Sequence, residues 1–430
     1  MASSFQSDVS RNLWFSEDWK TYRDSTLVSD LLFETSESFL SGIDRRAVPQ
    51  IQEIAFPFSS PSQLEDISMD DGHHYYFRGG SSSEDELCRR IVQAEAGYVS
   101  SPSDHLSAAV FSSGMAAISS LVLTFANAFS KRDTSELHFI VDERVYADTA
   151  VLFDQYVPSL GFGNTIFTDC TDEDKIRLIL SYHPHKVLAI FYEPFSLPNL
   201  QYVDTKNMRK IADDYGGIPL LADTTLIPPN LQQQFRLGID VVVSSLSKYI
   251  SGEGDITGGM VVAPEKLTVH LRRLQHRVFG NLPSLQAMSA FCERYTTLPQ
   301  RMDQHIENAC AFSDYLMNHH HVERVYFPSG KGIVEGGIPG AVFSFSLAGE
   351  TDQEKKEKAT KLMQYLIDSH HTPIANQVSF GSMNHAMIVH SPYRNVSTAS
   401  GLIRFAVGRE PSADQVLPFL DECLAYANKQ

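Results

Sequence analysis

Cysteine is scarce and unpatterned in this 430-residue chain. Cys88, Cys170, Cys292, Cys310 and Cys423 are odd in number, widely scattered and never arranged as C-x-x-C. That spacing excludes a zinc ribbon and gives no disulfide framework. No stretch approaches the roughly 20 consecutive apolar residues of a membrane-spanning helix. The opening MASSFQSDVSRNLWFSEDW has no apolar core and carries early acids. Neither a secretory signal nor a mitochondrial transit peptide is therefore expected. No run of Lys or Arg is long enough to build a basic patch. The 35 basic and 52 acidic side chains give a formal net charge of −17. Such a chain repels phosphate backbones and anionic membranes, so nucleic acid and membrane are not expected partners. The expectation is a soluble, cytoplasmic protein.

The composition is that of a globular chain, 43% apolar and 20% charged, long enough for two or three domains. Residues 1–70 are polar and irregular and read as an arm that packs on something else. Short apolar runs then alternate with helical segments: HFIVDE from His138, TIFTD from Thr165, KVLAIFYEP from Lys186, IPLLADTT from Ile218, DVVVSSLS from Asp240 and GGMVVAP from Gly258. Continuous apolar strands joined by helices predict an α/β domain, here 71–295, around a mostly parallel sheet. From 296 the pattern changes: a helix at about 301–318, a strand from Gly340, a helix at about 352–369, a strand from Leu402 and a last helix from Ser412. This predicts a smaller α+β domain, 296–430.

Ligands in open α/β sheets sit beyond the carboxyl ends of the strands. The strand from Lys186 ends in Glu193, and that from Ile218 ends in Asp223-Thr224-Thr225. The strand from Asp240 ends in Ser244-Ser245-Leu246-Ser247-Lys248. A lysine held in a dry site beside positive charge has a lowered pKa and a nucleophilic amine able to form a Schiff base. A surface lysine at a strand end is the commoner case for any lone lysine. Asp223 has a plain alternative too, as a turn or cap residue, but a buried carboxylate needs a partner. A protonated pyridine nitrogen would be one. Ser113-Gly114-Met115 opens a helix whose free N–H groups would bind a phosphate, with Ser245 and Ser247 as further donors; an ordinary N-cap would also read S-S-G. Together the three features point to pyridoxal 5'-phosphate (PLP).

These segments resemble the Cys/Met-metabolism family of fold-type I PLP enzymes, the cystathionine γ-synthase and γ-lyase group, from about Val48 to the end. SSGMAAI resembles the family's S-G-M-x-A, with Gly114 and Met115 at the phosphate. VYADT resembles Y-G-G-T and implies that Tyr146 stacks on the cofactor ring and acts as an acid/base. LLADTTLIPP resembles D-N-T-x-x-x-P and puts Asp223 on the pyridine nitrogen. SLSKYISGEGDITGG resembles S-A-T-K-Y-x-x-G-H-S-D-x-x-G-G, with Lys248 as the Schiff-base lysine and Ser245 and Ser247 beside it. Segments from Thr296 and Leu402 match the two ends of the family's C-terminal domain. The resemblance puts Arg404 on the substrate α-carboxylate and retains Ser379 on the substrate side. Tyr76 and Arg78 match a Y-x-R that reaches the phosphate of an adjacent subunit, which implies a homo-oligomer, a dimer at least and a tetramer by analogy.

Four departures stand out. Ser81-Ser82-Ser83 replaces N-P-T, Leu197 replaces the asparagine near the cofactor's phenolic oxygen, Glu253 replaces a histidine, and Asn384 replaces a glutamate. They spare the main anchors and alter the substrate side. The expectation is PLP-dependent γ-replacement on an O-acylhomoserine-type amino acid, with a nucleophile that could be a carbon acid. A γ- or β-lyase of sulfur amino acids shares the same anchors. An aminotransferase would lack the Y-x-R arm, and a PLP-binding protein without turnover would not need Lys248, Asp223, Tyr146 and Arg404 together. His73-His74, His319-His320-His321 and His370-His371 do not converge as metal ligands. GEGDITGG is no dinucleotide fingerprint, and Cys88 reads as a packed thiol.

Overall fold

A computed structural model describes residues 54–55, 76–97, 106–129, 133–327, 340–369, 372–390 and 401–429. The arm expected over 1–70 lies outside the described residues apart from 54–55, as do His73-His74 and His370-His371. The chain enters through helix α1 (Ser82–Ala96). Ser81 caps it by accepting the Glu84 N–H at 3.2 Å, and Glu84 and Asp85 lie against the positive end of the helix dipole. The Ser81-Ser82-Ser83 departure thus serves as a helix start.

Strands β1 (Leu106–Phe111), β2 (His138–Asp142), β3 (Ile166–Thr168) and β4 (Val187–Tyr192) follow, then the short ribbon β5 (Phe195–Ser196) and β6 (Gln201–Tyr202), then β7 (Leu220–Asp223), β8 (Val241–Ser245) and β9 (Gly259–Pro264). Seven of them form one sheet in the order β1-β9-β8-β7-β4-β2-β3. β3, β2, β4, β7 and β8 pair in parallel, and β9 runs antiparallel to both β8 and β1. The sheet is buried on both faces. Ala109, Phe111, Phe139, Val141, Phe191, Val241 and Val243 meet helix α2 (Gly114–Phe129), while Ala108, Val110, Ile140, Ile190, Leu220 and Val242 face the other layer. Alternating residues of one apolar strand serve two cores, which is why the strands read as continuous apolar runs.

Two crossover helices on the second face start at capping aspartates. α4 (Glu173–Tyr182) is capped by Asp172 and α5 (Thr205–Asp214) by Asp204; the five-residue α3 (Ala147–Val151) precedes them. After β9 come α6 (Glu265–Leu271), α7 (Leu285–Tyr295) and α8 (Leu298–Met317), so the helix expected from 301 begins three residues earlier, with Pro299 in its first turn.

A second sheet then forms from β10 (Val322–Tyr326), β11 (Val342–Leu347), β12 (Ile374–Asn376), β13 (His385–Val389) and β14 (Leu402–Ala406), in the order β10-β11-β14-β13-β12. Helices α9 (Asp352–Asp368) and α10 (Ala413–Ala427) pack on each other and complete it. Phe343, Phe345, Ile403 and Phe405 enter the core, so the alternate residues Ser344 and Arg404, directly paired, project from the opposite face. The protein is therefore α/β, with a large mostly parallel sheet and a separate C-terminal sheet. β1, the β5–β6 ribbon, β10, β12 and β13 were not expected from the sequence.

Candidate active site

β1, β2, β4, β7 and β8 point in one direction, so their carboxyl ends share one edge. Along that edge stand Ser112-Ser113, Asp142, Glu193, Asp223 and the Ser245–Lys248 turn. Gly259 starts the antiparallel β9 between Phe111 and Ser245, pairing with both. A Cβ there would collide with the Ser113 carbonyl oxygen, so glycine lets β1 turn tightly into α2.

The first residues of α2 form a cradle. Ser113 caps the helix, its Oγ accepting the Ala116 N–H at 3.1 Å. Gly114 lies so close to β8 that an added Cβ would stand 2.8 Å from Ser245 Cβ. Ser245 thus borders the cradle. Ser247 does not aim its hydroxyl there, because Ser247 Oγ accepts the Gly258 N–H at 3.0 Å and stabilises its own loop. Met115 turns its sulfur to Thr149, whose hydroxyl donates to it at 3.6 Å.

Lys248 Nζ donates to Ser379 Oγ at 3.2 Å and lies 5.3 Å from the centre of the Phe380 ring. Burial lowers the pKa of its amine and the Arg404 guanidinium lowers it further, while Asp223 opposes both. Lys248 and Arg404 therefore meet at Ser379, near enough to Asp223 for its charge to act on the lysine. Arg301 holds the lysine turn from behind. Its Nη1 donates to the Tyr249 carbonyl at 2.5 Å and its Nη2 to the Ile250 and Arg294 carbonyls at 3.0 and 2.9 Å. Gly252, at φ +74°, gives the guanidinium room.

Asp223 Oδ1 accepts the Thr225 N–H at 2.9 Å and the Thr225 hydroxyl at 2.5 Å, and Thr225 Oγ1 in turn accepts the Ser245 N–H at 2.9 Å. The chain of bonds fixes the carboxylate against β8. Burial raises the Asp223 carboxyl despite Thr225 and Lys248. Glu193 is 8% exposed and pushed well above the usual carboxylate range, first by burial and then by the Asp223 charge. Its Oε1 accepts the Tyr146 backbone N–H at 2.6 Å. Tyr146 itself is 52% exposed and stands at the start of α3.

Tyr76 and Arg78 flank a short 3-10 turn, with the guanidinium carbon 4.8 Å from the centre of the Tyr76 ring. Arg78 runs beside Gly280, whose neighbour Asn281 accepts the Ser112 hydroxyl hydrogen bond at 2.8 Å. The described contacts do not join this pair to Lys248. Arg404 shares the lysine site, its Nη2 donating to the Ser379 carbonyl at 3.4 Å. Glu253 faces Arg409, which donates to it at 2.7 Å. Leu197 packs against the core, and Cys88 is buried, its thiol pushed up to about 12.

The sequence placed no carboxylate near the His319–His321 run, yet Asp421 of α10 sits 3.0 Å from His319 Nε2. Among the described residues no three such side chains gather as metal ligands. Glu193 and Arg301 were given no role from sequence. An acid closing a strand beside Asp223 was a readable signal for Glu193; an arginine in an amphipathic helix gave none for Arg301.

A mostly parallel seven-stranded sheet with a lysine after β8, an acid ending β7 and a glycine-lined helix start defines a fold-type I PLP enzyme. The chain belongs to the Cys/Met metabolism PLP-dependent enzyme family, whose model matches residues 35–424. PLP is its cofactor. It is 29% identical over 317 residues to an L-methionine gamma-lyase of Fusobacterium nucleatum subsp. nucleatum, covering 70% of this chain and 76% of that one. The cystathionine gamma synthase of Xanthomonas oryzae pv. oryzae, solved with cystathionine, superposes with a TM-score of 0.74 at 22% identity, covering 92% of this chain and 99% of that one. A Campylobacter jejuni subsp. jejuni structure carrying N'-pyridoxyl-lysine-5'-monophosphate superposes with a TM-score of 0.75 at 19% identity, covering 94% of this chain and 99% of that one. The residues here fit that cofactor. A helix start with close glycine approach suits a phosphate, a half-buried carboxylate suits a pyridinium, and an amine of lowered pKa suits an aldehyde.

Proposed function

We propose that the protein catalyses γ-replacement on an O-acylhomoserine-type amino acid. The meeting of Lys248, which follows β8, with Arg404 of β14 at Ser379 carries the reading. In it, Gly114, Met115 and Ser245 line the phosphate end of the site, and Tyr76 and Arg78 approach that end from a second subunit. When bound, PLP supplies the electron sink for charge that develops at the substrate α-carbon. Asp223 keeps a proton on the pyridine nitrogen. Arg404 binds the α-carboxylate, with Ser379 beside it. Lys248 Nζ takes the α-proton, and Lys248 or the Tyr146 phenol moves a β-proton as the γ-substituent leaves.

Leu197, Glu253 and Asn384 alter the substrate side while the anchors stay, which favours a nucleophile other than cysteine, such as a carbon acid. A lyase reading draws its support from the methionine gamma-lyase relative. The same overall reading makes the protein a cytoplasmic homotetramer with an arm (1–70), a PLP domain (71–295) and a C-terminal domain (296–430). Product analysis by mass spectrometry tests it. With O-acetylhomoserine, a new amino acid that forms only with an added thiol or carbon nucleophile supports replacement. Release of 2-oxobutanoate without one supports the lyase, and no turnover overturns both.

A further inference from the structure

Glu193 lies one residue beyond the Tyr192–Ala222 pairing of β4 with β7, opposite Asp223 on the neighbouring parallel strand. Parallel strands lie about 4.8 Å apart, and paired residues point to the same face. Tyr192 and Ala222 enter the core, so Glu193 and Asp223 both project the other way. Glu193 then reaches a third element. Its Oε1 takes the Tyr146 N–H at 2.6 Å, where α3 begins with no side-chain cap. One buried carboxyl thus connects the tyrosine that starts α3 with the acid that ends β7.

We propose that Glu193 is a positioning residue for the cofactor ring, a neutral carboxyl that anchors Tyr146 through its backbone amide and leaves the negative charge to Asp223 alone. The proposal rests on the reading of Tyr146 and Asp223 as the two ring contacts. Two adjacent buried carboxylates would leave one charge uncompensated. Burial raises both carboxyls; two Thr225 hydrogen bonds and Lys248 hold Asp223 down, whereas the charges of Asp223 and Asp142 push Glu193 further up against the single Tyr146 N–H. In this proposal the proton that the two carboxyls share resides on Glu193. With Asp223 as the single anion, the pyridine nitrogen meets one full charge at a fixed place, and the Tyr146 ring is held at a fixed height over the opposite side of the site.

Glu193→Gln is neutral and keeps an acceptor for the Tyr146 N–H; Glu193→Ala removes that acceptor. The readouts are PLP affinity by fluorescence titration, circular dichroism of the bound cofactor, and its visible absorbance as a function of pH. The glutamine variant is expected within roughly threefold of wild-type affinity, with unchanged dichroism and pH response. The alanine variant is expected to bind roughly tenfold more weakly, with reduced dichroism. If the alanine apoprotein does not melt cooperatively, Glu193→Asp replaces it, since one methylene less breaks the same bond. An alanine or aspartate variant that matches wild type overturns the proposal, as does a glutamine variant as impaired as alanine. In either case wild type still binds PLP and loses its visible band with Lys248→Ala, so the proposed function stands. A wild-type protein that never takes up PLP overturns both.

Discussion

Glu95 lies in the last turn of α1, 1% exposed, and among the described residues its Oε1 has no hydrogen-bond partner. Burial pushes its carboxyl from 4.5 up to about 8. Between those pH values the folded protein holds a proton that the unfolded chain has released. Stability therefore falls as pH rises through that window, and the loss is complete above about pH 8. A shift from 4.5 to about 8, at ~1.4 kcal/mol per unit, sets a ceiling of about 5 kcal/mol on the loss. Glu95→Gln keeps the shape and abolishes the titration.

Thermal melts of the two proteins should coincide near the acid end of the window and separate steadily towards its alkaline end, with the glutamine variant melting higher. His305 and His390 act in the opposite direction. Burial holds them down to about 3 and about 4, so the unfolded chain binds their protons first and the protein loses stability as pH falls below about 6.5. Above about pH 7 both imidazoles are neutral in either state, and since the two proteins share every other titrating group, Glu193 included, their difference there reads Glu95 alone. A glutamine variant that melts no higher than wild type at alkaline pH would refute the claim that this carboxyl is buried and neutral.

Gly259→Ala should abolish PLP binding while the far sheet stays folded, because its Cβ meets the Ser113 carbonyl and moves the start of α2; titration with PLP checks this. Arg404→Lys should lower kcat/KM by about 100-fold, mainly through KM, since an ammonium does not reproduce a two-point grip on a carboxylate. Steady-state kinetics with O-acetylhomoserine reads it. Arg301→Ala leaves the Tyr249 and Ile250 carbonyls unpaired beside the lysine turn and should cost about 3 kcal/mol, read by denaturant melts.

Much of the large sheet was legible because strands buried on both faces carry continuous apolar runs, as in VLAIFY and the three valines of DVVVSS. β1 was harder to see: LSAAVF is short and rich in alanine, and its place at the sheet edge depends on an antiparallel partner, β9. β13 came from HAMIV, in which His385 is buried and tied to the Pro411 carbonyl, a contact with no local signal.

The sequence by itself determined the order of the chemical groups: a glycine-bearing helix start, then an acid and a lysine, each of these two at the end of a strand, and an arginine far downstream. Local pattern suffices there, because strand ends and helix starts are set by neighbouring residues. The tertiary structure decided which groups meet. It brought Arg404 of the second sheet and Ser379 from the loop between β12 and β13 to Lys248, turned the Ser247 hydroxyl back onto Gly258, set Glu193 beside Asp223, and used Arg301 to hold the lysine turn. Those contacts join residues 11 to well over 100 positions apart in the chain, and they follow from sheet register and from the packing of two sheets, which no short stretch of sequence encodes.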